Sequence, residues 1–355
     1  MNELSVKQIS IMIFFIPLVF KMATLPSLLY EEAQSTAFVL VGIMTVIEFL
    51  QLFLVLYVGK KGGLDKVKET YGKGVYLLVT LPMTFVMAVK TFIFMHEISV
   101  YITGYLFYNI GELAVVAIVL ITCAYLGIKG GKSIGRLFEI SVWLVPLIII
   151  VGIFFGNINT NPIFITPLFE QSGGTYTKAI GKYLIYMFDF SPLLFMKTNV
   201  KKVTPVAICS VLSAGAVMGC YVLLFSVYGN AMRYITGAFA KLASFNTVVS
   251  EIGSLDWPSG LLWLTTGMLS VALKFAAVGR IGDACGSAKI GVGVFTAIIA
   301  ILFFTVFPTF NKTIEFATNG SQYAVIGIEI LLPLVTLTLI YRQKSKEKGE
   351  LCVVN

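Results

Sequence analysis

Runs of roughly twenty mostly apolar residues recur ten times along the 355-residue chain, each bounded by charge or by Gly and Pro clusters. A helix rises 1.5 Å per residue, so about 30 Å of hydrocarbon needs about 20 such residues. The runs fall at 9–29, 36–58, 75–107, 113–128, 137–156, 180–200, 203–228, 257–282, 290–307 and 322–341. Ten spans take about 200 residues. A chain that is 57% hydrophobic and only 12% charged supplies them and leaves short loops. A soluble domain is nearer 25% charged. The expectation is an all-α integral membrane protein of about ten transmembrane helices, a single domain over 1–355. The first run has no small-residue cleavage pattern and reads as a retained span. The third, 75–107, is longer than a bilayer requires and is expected to tilt or to extend beyond it.

The net charge of +8 sits in short clusters between apolar runs. That pattern fits a bilayer partner and not nucleic acid. One set of loops carries Lys60, Lys61, Lys66, Lys68 and Lys73, then Lys129, Lys132 and Arg136, then Lys197, Lys201 and Lys202, then Arg280 and Lys289. Lys7 and the tail residues Arg342, Lys344, Lys346 and Lys348 fall on that side for an even span count. The other side holds Lys178, Lys182, Arg233, Lys241 and Lys312 beside Glu31, Glu32, Glu112 and Glu170. Because Lys and Arg accumulate on the cytoplasmic face, both termini are expected there, in a multi-pass cell-membrane protein. Of the two longer outer loops, 157–179 reads as irregular and 235–252 as a short amphipathic interfacial helix. Cys123, Cys209, Cys220, Cys285 and Cys352 show no metal-ligand or redox spacing, so neither a metal nor another cofactor is expected.

Ten spans divide into five plus five. An odd number per half makes any structural repeat inverted, and in such folds the first helix of each half is broken near the midplane to build a binding site. The halves would be about 7–156 and 180–343. Spans one and six are the interrupted ones. The first carries Pro17, Lys21 and Pro26; the sixth carries Asp189, Ser191 and Pro192. A proline inside a helix removes a hydrogen bond and frees carbonyls for other partners. Pro82, Pro146 and Pro333 read as ordinary kinks.

The stretch Thr24-Leu25-Pro26 followed by SLLYEEAQSTAFV resembles the first helix and loop of the spore-germination permeases. These are the membrane-embedded B subunits of nutrient germinant receptors, in the amino acid–polyamine–organocation (APC) superfamily. GGLDKVKETYGKGVY, GGKSIGRLFEISVWLVPLII, NPIFITPLFEQSGG, NVKKVTP and LDWPSGLLWLTTGMLSVALKF are similar and occur in the same order. The most specific piece is the Gly130-Gly131 entry to span five, ending at Arg136. The resemblance implies the LeuT/APC-type inverted repeat with broken helices one and six. It also implies recognition of a small germinant, commonly an amino acid, in the spore inner membrane beside A-type and C-type partner subunits. It does not itself imply net transport. The ligand contacts it implies fall at Val19, Lys21, Ala23, Asp189 and Ser191. Val19 and Lys21 stand where the family has glycines, and Asp189 lies two residues before the family's acidic position near Ser191.

Charges at mid-bilayer cost roughly 2.5–3.5 kcal/mol each on insertion scales, so they face an interior and pair with one another. Lys21, Glu48, Lys90, Asp189, Lys274 and Glu329 lie well inside spans. Lys21 with Asp189 is the expected pair, joining the two interrupted helices. Glu48, Gln51, Lys90, Glu97 and Lys274 are candidates for a polar or ion pathway. Glu48 and Gln51 share a face of span two, where helix–helix hydrogen bonding is the simpler reading. Lys274 would suit a sodium-independent protein. His96, the only histidine, reads as structural ahead of a relay with Glu97. With no nucleophile–base spacing, an intramembrane enzyme is disfavoured. The primary expectation is therefore a germinant-receptor permease subunit. The alternative is a proton-coupled amino-acid permease of the same superfamily.

Overall fold

A computed structural model describes residues 3–106, 109–143, 160–198, 203–235, 237 and 256–353. The elements, in chain order, are β1 (Glu3–Leu4), α1 (Val6–Lys21), α2 (Leu25–Ala33), α3 (Ala37–Lys60), α4 (Gly63–Tyr101), α5 (Glu112–Lys129) and α6 (Gly131–Ser141). There follow α7 (Gly173–Tyr183), β2 (Lys197–Thr198), α8 (Thr204–Tyr228), α9 (Asp256–Cys285), α10 (Ala288–Ile301), α11 (Phe310–Thr318) and α12 (Ser321–Val353). Among the described residues, seven helical segments are long and apolar enough to cross a membrane: Leu25–Lys60, Gly63–Gly104, Glu112–Lys129, Thr204–Tyr234, Gly260–Cys285, Ala288–Val306 and Ser321–Arg342. The chain is an all-α, multi-pass membrane protein. Most of the expected span 137–156, the interfacial helix 235–252, and Lys201, Lys202 and Lys241 lie outside the described residues.

The first span is shorter as a helix than its apolar run. Ser5 caps α1 through a reciprocal pair, with the Gln8 amide donating to Ser5 Oγ at 3.2 Å and the Ser5 amide to Gln8 Oε1 at 3.1 Å. Helix α1 then ends at Lys21, and Met22–Thr24 form a turn before α2 begins with Pro26 in its first turn. Proline fits there because the first amides of a helix have no intrahelical acceptor. A second departure from α-helix follows α7. Leu184–Tyr186 and Ser191–Phe195 are 3-10 turns flanking Met187–Phe190. Phe188 has φ 65°, a left-handed conformation that costs a non-glycine residue roughly 1–2 kcal/mol. It is nonetheless buried.

Helix α4 corrects one reading of the sequence. The charged segment before 75, read as a loop, is helical from Gly63. Leu64 and Val67 are buried and anchor it, while Gly72, at φ 80° and ψ 178°, breaks its direction before the membrane run. Charge density concealed a helix whose apolar face is narrow: Leu64, Val67 and the half-buried Tyr71.

The contacts sort the loops onto two ends. At one end β1 pairs with β2 in parallel, Lys7 meets Glu139 at 3.9 Å, and Asp65 holds both Arg280 at 2.9 Å and Lys197 at 3.7 Å. At the other end Lys182 meets Glu32 at 2.6 Å, and the Phe169 amide donates to Thr36 Oγ1 at 2.8 Å. Between the ends, α1 packs on α8, α9 on α5 and α10, and α12 on α4. At the α9–α10 crossing a Cβ on Gly282 would lie 2.9 Å from Gly291 Cα, so only glycine permits that backbone approach.

Candidate functional site

Seven Lys, Asp and Glu side chains are buried in the helix bundle among the described residues: Lys21, Lys90, Lys274, Glu48, Glu97, Asp189 and Glu329. None is more than 4% exposed. Charges so placed persist only where partners offset lost hydration. Their partners divide them into two linked clusters and two outliers.

Lys21 ends α1 and meets Glu48 of α3 at 2.6 Å, with both side chains at 0% exposure. The Asp189 amide donates to the other Glu48 oxygen, Oε1, at 3.2 Å. Glu48 therefore ties the end of α1 to the non-α segment after α7. In the second cluster Lys90 of α4 lies 3.2 Å from Glu329 of α12 and 3.6 Å from Asp189. Its ammonium also donates to the Met187 carbonyl, which the departure from α-helix leaves available. Gln51, one turn along α3 from Glu48, donates to Glu329 Oε2 at 3.0 Å and to Ser191 Oγ at 3.2 Å. Ser191 Oγ also contacts Glu329 Oε2.

The expected Lys21–Asp189 ion pair is thus replaced by two pairs, Lys21 with Glu48 and Lys90 with Asp189. The reason lies in the backbone. Asp189 presents its amide, not its carboxylate, to the Glu48 that Lys21 has engaged. Lys90 and Glu97 also part company. Seven apart on α4, they reach different neighbours, Lys90 the clusters above and Glu97 the Thr24 end of the α1–α2 turn. His96 points elsewhere again, as adjacent helical residues do. Its Nε2 lies 2.8 Å from the Phe307 carbonyl and its ring stacks on Phe303 at 4.0 Å. That geometry is structural.

The last carbonyls of α1 are already occupied. Trp263 Nε1 donates to the Val19 carbonyl at 2.8 Å, and the Tyr221 hydroxyl donates to that of Lys21 at 2.9 Å. Of the ligand contacts implied at the end of α1, Ala23 lines a cavity. That cavity is bounded by Ala23, Thr24, Glu97, Tyr101, Trp263 and Phe310, with a volume of about 10 Å³, enough for roughly one water-sized group. Lys274 sits with its ammonium 3.9 Å from the centre of the Phe20 ring. No carboxylate lies within ion-pairing distance of it among the described residues. Phe20 contacts Phe94 at 5.0 Å and Phe94 contacts Trp263 at 5.4 Å, so an aromatic partition leads from Lys274 toward the cavity.

Glu329 is the member of the clusters that neither the implied ligand contacts nor the polar-pathway candidates included. Its signal was a lone carboxylate in the middle of the last apolar run. Trp263, Tyr221 and Met187 gave no signal, because their roles depend on which backbone groups the fold leaves unpaired. Among the described residues no group of His, Cys, Asp and Glu is arranged to hold a metal ion. Comparison with protein-family models and with curated proteins finds no match to this chain.

Proposed function

We propose that this chain is a permease-like membrane subunit of a nutrient receptor of the spore-germination type, which recognises a small germinant such as an amino acid. It has the five-plus-five inverted-repeat plan, with interrupted first and sixth spans and cytoplasmic termini. It acts in the spore inner membrane with A-type and C-type partner subunits. One observation carries the reading. Two of the departures from α-helix, Met22–Thr24 and Leu184–Phe195, lie at the positions where an inverted repeat breaks its helices, and one buried polar network joins them. Interrupted helices that supply backbone groups to a buried site are how such folds bind small solutes.

The orientation draws further support from the contacts. Lys7, Lys197 and Arg280 gather at one end of the bundle, the end that the Lys and Arg count assigns to the cytoplasm.

The test separates sensing from transport. Spores lacking this chain should lose their response to one class of nutrient and regain it on complementation. Purified protein in liposomes should bind that nutrient without accumulating it. Proton-driven accumulation would replace this reading with the amino-acid permease. An unchanged germination response to every nutrient would sink the receptor reading altogether.

A further inference from the structure

Glu97 differs from the other buried carboxylates. Glu48 faces Lys21, while Asp189 and Glu329 share Lys90. Glu97 has no cation within ion-pairing distance among the described residues. It is 4% exposed, and neither of its oxygens has a well-aligned hydrogen bond, though Thr24 lies against it. A buried carboxylate in this position is costly until a proton or a cation neutralises it. Glu97 lines the small cavity described above, together with the aromatic side chains Tyr101, Trp263 and Phe310.

We propose that this cavity is an ammonium-recognition site: Glu97 receives the charged amino group of a small organic cation or zwitterion, and the aromatic walls enclose it. The proposal rests on the small-molecule reading above and names the ligand group that the site selects. Four features converge on a cation. The carboxylate supplies the opposite charge. The aromatic rings carry negative potential on their faces and attract ammonium groups. The volume suits a water-sized head, which is the size of an amino group. Finally, among the described residues no cation lines the cavity itself. Lys21 and Lys90 are held by carboxylates, and Lys274 faces the Phe20 ring. The Val19 and Lys21 carbonyls, which could otherwise receive an amino group at the helix break, are taken by Trp263 and Tyr221. Recognition of the amino group therefore falls to Glu97. The carbon skeleton extends past Tyr101 and Phe310, which must give way for anything larger than the head group.

The test uses the full-length protein in detergent and four matched probes: propylammonium, alanine, propionate and glucose. Binding is followed by calorimetry and by the shift in thermal midpoint. The two ammonium probes should bind, and propionate and glucose should not. Glu97→Gln keeps the shape and removes the charge. It should weaken both ammonium probes at least tenfold while leaving the unliganded midpoint unchanged or higher. Glu97→Asp should weaken them less, and this second variant serves if the glutamine form does not fold. Undiminished ammonium binding in Glu97→Gln overturns the proposal, as does failure of both ammonium probes to bind the native protein. Binding of propionate or glucose alone overturns it while leaving the nutrient-receptor reading in place.

Discussion

Lys21, the last residue of α1, lies 2.6 Å from Glu48 of α3, and neither side chain reaches solvent. The pair fixes the C-terminal end of α1. The Glu48 carboxylate passes the connection on to the Asp189 amide. A salt bridge so deep contributes little net stability against an apolar replacement, because both ions lose their hydration. Breaking it from one side leaves an unpaired charge and costs about 3–5 kcal/mol.

The first prediction follows from that asymmetry. Lys21→Met and Glu48→Leu should each lower stability by about 3–5 kcal/mol, and the double variant should recover most of the loss. Thermal unfolding in detergent provides the double-mutant cycle. A parallel cycle between Lys21 and Asp189 should show a smaller coupling, since they meet only through Glu48. Equal couplings in the two cycles would contradict the pairing described here.

Lys90 is the single cation between two carboxylates, Asp189 and Glu329. Lys90→Met should therefore be among the most damaging substitutions in the bundle, at about 3–5 kcal/mol, because two buried anions lose the counter-ion they share. Glu329→Gln leaves Lys90 with Asp189 and keeps a polar partner for Gln51. It should cost about 1–2 kcal/mol. The ranking is the test, read from unfolding midpoints of the two variants. A glutamine form as unstable as the methionine form would mean that Asp189 does not hold Lys90.

Topology yields the third prediction. Glu170 and Glu69 are both exposed and lie at opposite ends of the bundle, near Thr36 and near Asp65 respectively. In a cysteine-free background, Glu170→Cys should react with a membrane-impermeant thiol reagent added outside the cell, and Glu69→Cys only after the membrane is opened. The reverse pattern would invert the orientation, and reaction of both from outside would alter the number of crossings between them.

Which parts of this architecture the residues announced depends on the physical signal each one carries. Apolar length marks a crossing regardless of partners, so α3, α5, α8 and α10 fall close to the runs 36–58, 113–128, 203–228 and 290–307. Helix α4 did not announce its first turns, since Lys66, Lys68 and Glu69 mask Leu64, Val67 and Tyr71, which seat it. Within the site, cost identified the members. An ionisable residue in a twenty-residue apolar run is expensive enough to imply a partner, and that argument located Lys21, Glu48, Lys90, Asp189, Lys274 and Glu329. Partner choice was another matter. It depends on whether Asp189 turns its amide or its carboxylate toward Glu48, which is a property of the backbone at Phe188 and has no counterpart in composition or spacing.

Lys274 supports the final prediction, because among the described residues it is the buried lysine without a carboxylate partner. Its ammonium lies 3.9 Å from the Phe20 ring centre, a contact worth about 2 kcal/mol when desolvated. Burying the charge costs several kcal/mol. Replacing the residue with methionine keeps much of the volume, keeps a favourable contact with the ring and removes the charge. Lys274→Met should then be neutral or stabilising in thermal unfolding, opposite in sign to Lys21→Met. If the lysine is retained for ligand response and not for folding, the same variant should lose that response at unchanged expression. If a fixed cation here stands in for a bound one, ligand affinity of the native protein should not change when sodium replaces potassium at constant ionic strength. A destabilised Lys274→Met would reveal an ion-pair partner that the present geometry lacks, and a steep sodium dependence would show that the lysine does not fill the role of the metal ion.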